Sequence, residues 1–376
     1  MSAETPTDPL LVTGEPDAGL GWRRQPLVGV VATALMIVVS LVVIAAMDWP
    51  LFRDWVSYYL MCTIPFAFVV GAFWHGQHPH RIARLAQPLR GLGYLVLALL
   101  VGVVVGVLVA ATFGGGVTPP PPNAVQFIIM SVPISFWLTV ILGGWPFSRL
   151  RSPVLGGALV LVATYLIDAV VFRLLVNYDF LRGTPAYVER LDPHGPFGVW
   201  AVLVFIVTCM AAGLLLLQLG LWPLSRWSRI GSQPLGGLVV TVVMMAISGL
   251  VLWIGLHVLG LAEPVLLTSV TVPFLFGSIV VLIMLEGSAY PRLRQPVRGL
   301  ATIVTAIVVG QVLAALYLWL SGPLPGDLVS GPPTFEKQLW LASALLAVTF
   351  PLLSFYLDFF ALWPLRRAPE HDAPPS

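Results

Sequence analysis

Charge is scarce in this chain. Only 10% of its 376 residues are Asp, Glu, Lys or Arg, against 58% hydrophobic, and the mean hydropathy is +0.93. A soluble domain is usually near a quarter charged, and so apolar a chain has too little polar surface to cover a water-facing exterior. The formal charge of +2 excludes the basic footprint of a nucleic-acid binder. Cysteine is nearly absent: Cys62 and Cys209 both fall inside apolar runs, where a thiol packs as a small hydrophobe, so no disulfide framework is expected. Lys337 is the single lysine against a scatter of arginines, a bias that suggests a GC-rich bacterial source. There is no P-loop, GxGxxG, HExxH or CxxC motif, and no nucleophile with a neighbouring His and acid. Catalytic residues and cofactors are therefore not expected.

What the chain has is long apolar runs. About 20 residues of helix cross the ~30 Å hydrocarbon layer, and continuous, non-alternating runs read as helices, not barrel strands. The runs predict ten transmembrane helices near 27–47, 55–75, 91–112, 125–145, 154–177, 197–221, 236–260, 265–286, 299–321 and 338–362. The fold class is thus an all-α integral membrane protein. Residues 1–20 are acidic, rich in Pro and Gly, and lack an apolar stretch, so they read as a disordered tail and not a signal peptide. Residues 21–364 form one transmembrane domain and 365–376 a short tail.

Short loops carry the orientation signal. One set of helix ends holds Arg23, Arg24, Arg81, Arg84, Arg90, Arg149, Arg151, Arg226, Arg229, Arg292, Arg294, Arg298, Arg366 and Arg367; the other holds Arg53, Arg173, Arg182, Arg190 and Lys337. Both termini are expected in the cytoplasm of a bacterial inner membrane.

A motif recurs at the arginine-rich junctions. It reads Gln25-Pro26-Leu27-Val28-Gly29, Gln87-Pro88-Leu89-Arg90-Gly91, Ser152-Pro153-Val154-Leu155-Gly156, Gln233-Pro234-Leu235-Gly236-Gly237 and Gln295-Pro296-Val297-Arg298-Gly299. Proline suits a first helical turn, and glycine just inside allows close helix approach, as does the pair Gly102 and Gly106. Even helices finish on Trp145-Pro146, Trp222-Pro223, Tyr290-Pro291 and Trp363-Pro364, with His78-Pro79 in the first copy. The chain therefore reads as five tandem, parallel two-helix hairpin repeats, near 21–80, 81–147, 148–224, 225–291 and 292–364. Copy three carries an insertion, from Asn177 to Pro196, in which Thr184-Pro185 is a start signal for a short helix.

Inside the even helices lie Thr63-Ile64-Pro65, Ser131-Val132-Pro133, Thr271-Val272-Pro273 and Thr349-Phe350-Pro351, with Thr208 at that register in copy three. A mid-helix proline frees the carbonyl four residues earlier and kinks the helix. The hydroxyls either bond back to their own helix or line a polar passage. Intramembrane ionisable groups point to function by default: Asp168 in helix 5, Glu286 and Asp358 near the inner ends of helices 8 and 10, with Gln218 at the register of Glu286. The candidate pathway is thus Thr63, Pro65, Ser131, Pro133, Thr208, Thr271, Pro273, Thr349, Pro351, Asp168, Gln218, Glu286 and Asp358. His75, His78 and His80 cluster without a carboxylate nearby and carry no metal assignment.

Three functions fit. The first is a permease or channel for a small solute, proton-coupled through Asp358 or Glu286. The second is a non-catalytic scaffold or subunit of a membrane complex, with other membrane proteins or further copies as partners. The third is an enzyme acting on a lipid or quinone-like substrate. The lipid bilayer is a partner in each.

Overall fold

The fold is described from a computed structural model covering residues 25–183, 187–227, 232–332 and 335–366. The tail 1–20, Thr184-Pro185, and Arg23, Arg24, Arg229 and Arg367 lie outside the described residues. Among the described residues ten helices are long and apolar enough to cross a membrane. They are α1 Leu27–Ala45, α2 Trp49–Phe73, α3 Leu89–Thr112, α4 Pro122–Ile141, α5 Pro153–Leu175, α6 Val199–Gln218, α7 Leu235–Val258, α8 Glu263–Met284, α9 Val297–Leu320 and α10 Glu336–Phe359. The protein is an all-α, multipass membrane protein. A two-residue parallel pair, β1 Val176–Asn177 with β2 Phe197–Gly198, ties the ends of the α5–α6 connection together.

Most boundaries fall where the hydropathy places them. The exception is α2, which starts six residues earlier. Asp48 caps it, its carboxylate accepting from the Leu51 N–H at 3.0 Å, and Pro50 occupies the first turn, where a missing N–H costs nothing. Four even spans end in a widened π-helical turn: Val69–Phe73, Trp137–Ile141, Val280–Met284 and Phe355–Phe359. All five even spans then stop on two consecutive residues of positive φ: His75-Gly76, Gly143-Gly144, Gly220-Leu221, Glu286-Gly287 and Ala361-Leu362. Such residues turn the chain sharply and end the helix.

The spans form two layers. Between 61% and 78% of an apolar 18-residue stretch is buried in each even span, against 22–39% in the odd ones. The even spans pack in a closed inner ring, α2 on α4, α4 on α6, α6 on α8, α8 on α10 and α10 back on α2. The odd spans coat it, exposing Val104, Leu166, Val242 and Val308 where lipid would lie. Each odd span occupies the groove between two even spans: α3 on α2 and α10, α5 on α4 and α2, α7 on α6 and α4, α9 on α8 and α6, α1 on α10 and α8. The packing unit is therefore an even span with the odd span that follows it. The expected hairpin partners, such as α3 with α4, touch far less.

The tightest contact joins α8 and α9. A Cβ on Gly277 would fall 1.9 Å from the Ala306 oxygen, and one on Gly310 1.9 Å from the Pro273 oxygen. Only a hydrogen fits in either place, and the two backbones meet as small-residue faces do in membranes. Gly102 and Gly106 of α3 seat Thr63 and Tyr59 of α2 in the same way.

Candidate functional site

Three places hold chemistry: the junctions, the kinks, and a cavity enclosed by the inner ring.

At the junctions, glutamine fastens one span to another. The side-chain amide of Gln25 donates to the Met284 carbonyl at 3.1 Å, Gln87 to Phe359 at 2.8 Å, Gln233 to Ile141 at 2.9 Å and Gln295 to Gln218 at 3.1 Å. Each of those carbonyls belongs to the last residue of an even span, where no intrahelical partner exists. In three of the four, the amide oxygen also accepts from the glutamine's own helix: Gly91 N–H to Gln87 at 3.2 Å, Gly237 to Gln233 at 3.2 Å and Gly299 to Gln295 at 3.0 Å. One amide thus caps two helix ends at once. Ser152 replaces glutamine at the third junction and caps Leu155 within its own helix, while Trp74 Nε1 donates across to the Pro153 carbonyl at 2.8 Å. The flanking glycines allow the approach: a Cβ on Gly91 would strike the Phe360 ring at 2.3 Å, and one on Gly157 the Trp74 ring at 2.5 Å.

At the kinks, hydroxyls turn to their own helix or to a neighbour. Thr63 donates to the Leu60 carbonyl at 2.6 Å and Ser131 to Ile128 at 2.7 Å. Thr349 donates to Ala344 at 2.8 Å and stands 2.7 Å from the Tyr317 hydroxyl of α9. Thr208 and Thr271 pair across α6 and α8 at 3.0 Å. The Pro65 carbonyl accepts from Ser135 at 3.3 Å, and the Ser269 carbonyl, freed by Pro273, accepts from Gln311 Nε2 at 2.9 Å. Pro351 is buried in α10. Counted back from the helix-ending residues of positive φ, Thr63, Ser131, Thr208 and Thr349 each stand twelve residues before His75, Gly143, Gly220 and Ala361, but Thr271 stands fifteen before Glu286. The α8 kink is therefore almost one turn farther from the junctions than the rest. By the same count Gln218 corresponds to Met284 and not to Glu286.

The four polar intramembrane positions do not converge. Glu286 ends α8 at φ +48° and forms an exposed ion pair with Arg366 at 2.7 Å. Gln218 donates to Ser278 Oγ at 2.8 Å. Asp358 lies half-buried on α10 against Gly71, where a Cβ would come within 2.6 Å of its Oδ2. Asp168 on α5 is fully buried with neither carboxyl oxygen hydrogen-bonded among the described residues.

The inner ring encloses a vestibule of about 530 Å³ at the end opposite the junctions. All five even spans line it with their first halves, through side chains such as Tyr58, Ile129, Leu203, Leu267 and Leu346. Its charged lining residues, Arg53 and Asp54, are paired with each other at 2.5 Å. Gln126, in the second turn of α4, is also a lining residue; it is 8% exposed and its Nε2 has no partner among the described residues. Toward the junctions the ring closes on aromatic rings, Phe68 lying 6.0 Å from both Phe136 and Phe350. Those phenylalanines stand seven residues beyond the vestibule positions Met61 and Ile129 in α2 and α4, about 10 Å of helix. None of the thirteen pathway residues expected from the sequence is among the vestibule's lining; Pro133 lines a separate lateral groove between α4, α5, α6 and α7. Nothing in the sequence distinguished the vestibule's apolar residues from lipid-facing ones, but the amides Asn123 and Gln126 near the start of α4 were a signal that this end of the span does not face lipid.

Outside the spans, burial and the neighbouring His80 push His78 below the ordinary imidazole value, the two rings standing 4.2 Å apart. Among the described residues no group of three His, Cys, Asp or Glu is placed to hold a metal ion.

Compared with known protein families, curated proteins and solved structures, the chain matches none.

Proposed function

We propose that this chain is a bacterial inner-membrane permease that receives an apolar or amphipathic solute in the vestibule from the extracytoplasmic side. The observation that carries the reading is the axial cavity itself. Its ~530 Å³ sits in the range of small-molecule sites, about 300–1,000 Å³, which are concave, mostly apolar and supplied with few polar groups. The chain is read as five parallel copies of a two-span unit with both termini in the cytoplasm. The supports are the junction bonds made by four of the five copies and the arginine excess at that end. The vestibule then opens outward and the Phe68, Phe136 and Phe350 layer is the closed inner gate. The kink residues Thr63, Ser131, Thr208, Thr271 and Thr349 lie off the vestibule's lining, and Pro65, Pro133, Pro273 and Pro351 bend the spans that form it. Asp168 and Asp358 are the remaining candidates for proton coupling.

Filling the vestibule tests this. Ala342 is a half-buried lining residue, and Ala342→Trp occupies the space a solute would take. Binding or uptake of neutral apolar fluorophores by the protein in proteoliposomes should be lost in Ala342→Trp and kept in an equivalent change on the lipid face, Val308→Trp. Equal uptake by both refutes the vestibule as the solute site.

A scaffold is the second reading, favoured by one observation: on the junction side of the vestibule α2, α4 and α10 meet through packed aromatic rings, Phe68 against Phe136 and Phe350. On that reading neither tryptophan changes solute handling, because there is none.

A further inference from the structure

We infer that the first junction, between α2 and α3, holds an anionic phospholipid, its phosphate on Arg81 and Arg84 and its chains along the lipid-facing side of α3. A one-turn helix, His80–Ala83, interrupts this junction. Ile82 packs it against α3, where a Cβ on Gly93 would meet the Ile82 Cγ2 at 3.0 Å. The loop leading into it is fixed as well. Tyr94 Oη lies 2.9 Å and 3.0 Å from the Gly76 and His78 carbonyl oxygens, and Arg90 Nη2 donates to the Gly76 carbonyl at 2.8 Å. The turn so held carries His80, Arg81 and Arg84, all exposed. Arg81 and Arg84 form no ion pair and no side-chain hydrogen bond among the described residues. Three other junction arginines are engaged: Arg298 donates to the Gly287 carbonyl, Arg366 pairs with Glu286 at 2.7 Å, and Arg226 lies over the Trp222 ring. No carboxylate competes for Arg81 and Arg84 from the chain around them, because no Asp or Glu stands in the sequence between Asp54 and Asp168. Across the junction, Asp358 turns its carboxyl to Gly71.

Such a surface suits an anion. A guanidinium matches a phosphate in shape and charge, and basic clusters just beyond a membrane span gather acidic headgroups. The apolar surface beside it argues that the anion has chains. Leu89, Leu92, Val96 and Leu99 are all exposed and recur at spacings of three and four residues, one stripe along α3 that starts beside the turn Ile82 anchors. Leu85, next to Arg84, is exposed as well. A phospholipid covers both the arginines and the stripe; free phosphate covers only the first. A zwitterionic headgroup fits less well, since it brings an ammonium to two unpaired guanidiniums.

The test uses the purified full chain in nanodiscs and two phospholipid probes with the same photoreactive acyl chain, one with a phosphatidylglycerol and one with a phosphatidylethanolamine headgroup. Labelling is mapped to residues 85–99. In the wild type the glycerol probe should label this stretch more strongly than the ethanolamine probe. Arg81→Gln with Arg84→Gln should lower its labelling about thirtyfold, the worth of two arginines at an anionic lipid surface, and leave the ethanolamine probe unchanged. Arg149→Gln with Arg151→Gln removes two exposed arginines at the second junction and should not alter labelling of 85–99. Inorganic phosphate should not displace the probe. Equal labelling of the wild type by both probes, indifference to the Arg81 and Arg84 changes, or an equal fall in the Arg149 and Arg151 variant overturns the site. Displacement by inorganic phosphate overturns a lipid as the occupant. If the Arg81 and Arg84 variant does not fold, the wild-type ratio of the two probes decides the assignment.

Discussion

Adding one methyl group at Gly310 should separate α8 from α9. A Cβ there meets the Pro273 oxygen at 1.9 Å, backbone against backbone, with no flexible side chain to move aside. The helices must shift by more than 1 Å, and overpacking of this kind costs about 1–3 kcal/mol. The shift also pulls Gln311 from the Ser269 carbonyl that Pro273 leaves free, a further ~0.5–1.5 kcal/mol. Alanine's better helix propensity returns about 1 kcal/mol. The net expectation for Gly310→Ala is a loss of about 1–3 kcal/mol. Gly249 in α7 supplies the control, because a Cβ there meets nothing within 4 Å. Gly249→Ala should gain about 0.5–1 kcal/mol from propensity alone. Reversible unfolding of both variants in mixed detergent micelles measures the difference, expected at about 2–4 kcal/mol. Two variants of equal stability would refute the close backbone contact and the α8–α9 packing built on it.

Three further outcomes follow from the hydrogen bonds. Gln87→Leu leaves the Phe359 carbonyl and the Gly91 N–H without partners and should cost about 1–3 kcal/mol, read in the same unfolding assay; no loss would show that the junction amides do not fasten the ring. A double-mutant cycle with Thr208→Val and Thr271→Val should give a coupling near the ~0.6 kcal/mol typical of interhelical bonds in membranes; zero coupling would remove the α6–α8 pair. Glu286→Gln removes an exposed ion pair with Arg366 and should change stability by less than about 1 kcal/mol and solute handling not at all; loss of uptake in this variant would return Glu286 to the pathway.

Much of the architecture is legible in the chain because membrane helices obey a strong one-dimensional rule. Ten apolar runs predict ten spans, and nine of the ten starts fall within about three residues of those observed. α2 escaped because Asp48 caps it and its second turn carries Arg53 and Asp54, whose capping and ion pairing no hydropathy window registers. The partners of the junction glutamines were invisible in the sequence: Gln87 bonds a residue 272 positions away, and α3 packs on α2 and α10 more than on α4, its neighbour in the chain. The kink register failed in α8 because Thr271-Val272-Pro273 looks like its counterparts while its helix runs three residues longer to the stop at Glu286. The vestibule was beyond reach for a simpler reason. In a chain this apolar, Ile129 facing a cavity and Val308 facing lipid are the same kind of residue, and only the three-dimensional ring separates them.

The most direct test of the central claim compares water access at the vestibule and at the kinks. In a background with Cys62 and Cys209 replaced by alanine, single cysteines are placed at Val125, Ile129, Ala342 and Leu346, and separately at Thr63, Ser131 and Thr349. A small membrane-impermeant thiol reagent is then added to intact cells. The account predicts labelling of the first four from outside and none of the last three. Labelling of the kink positions with the vestibule silent, or no labelling at the vestibule in folded protein, would contradict it.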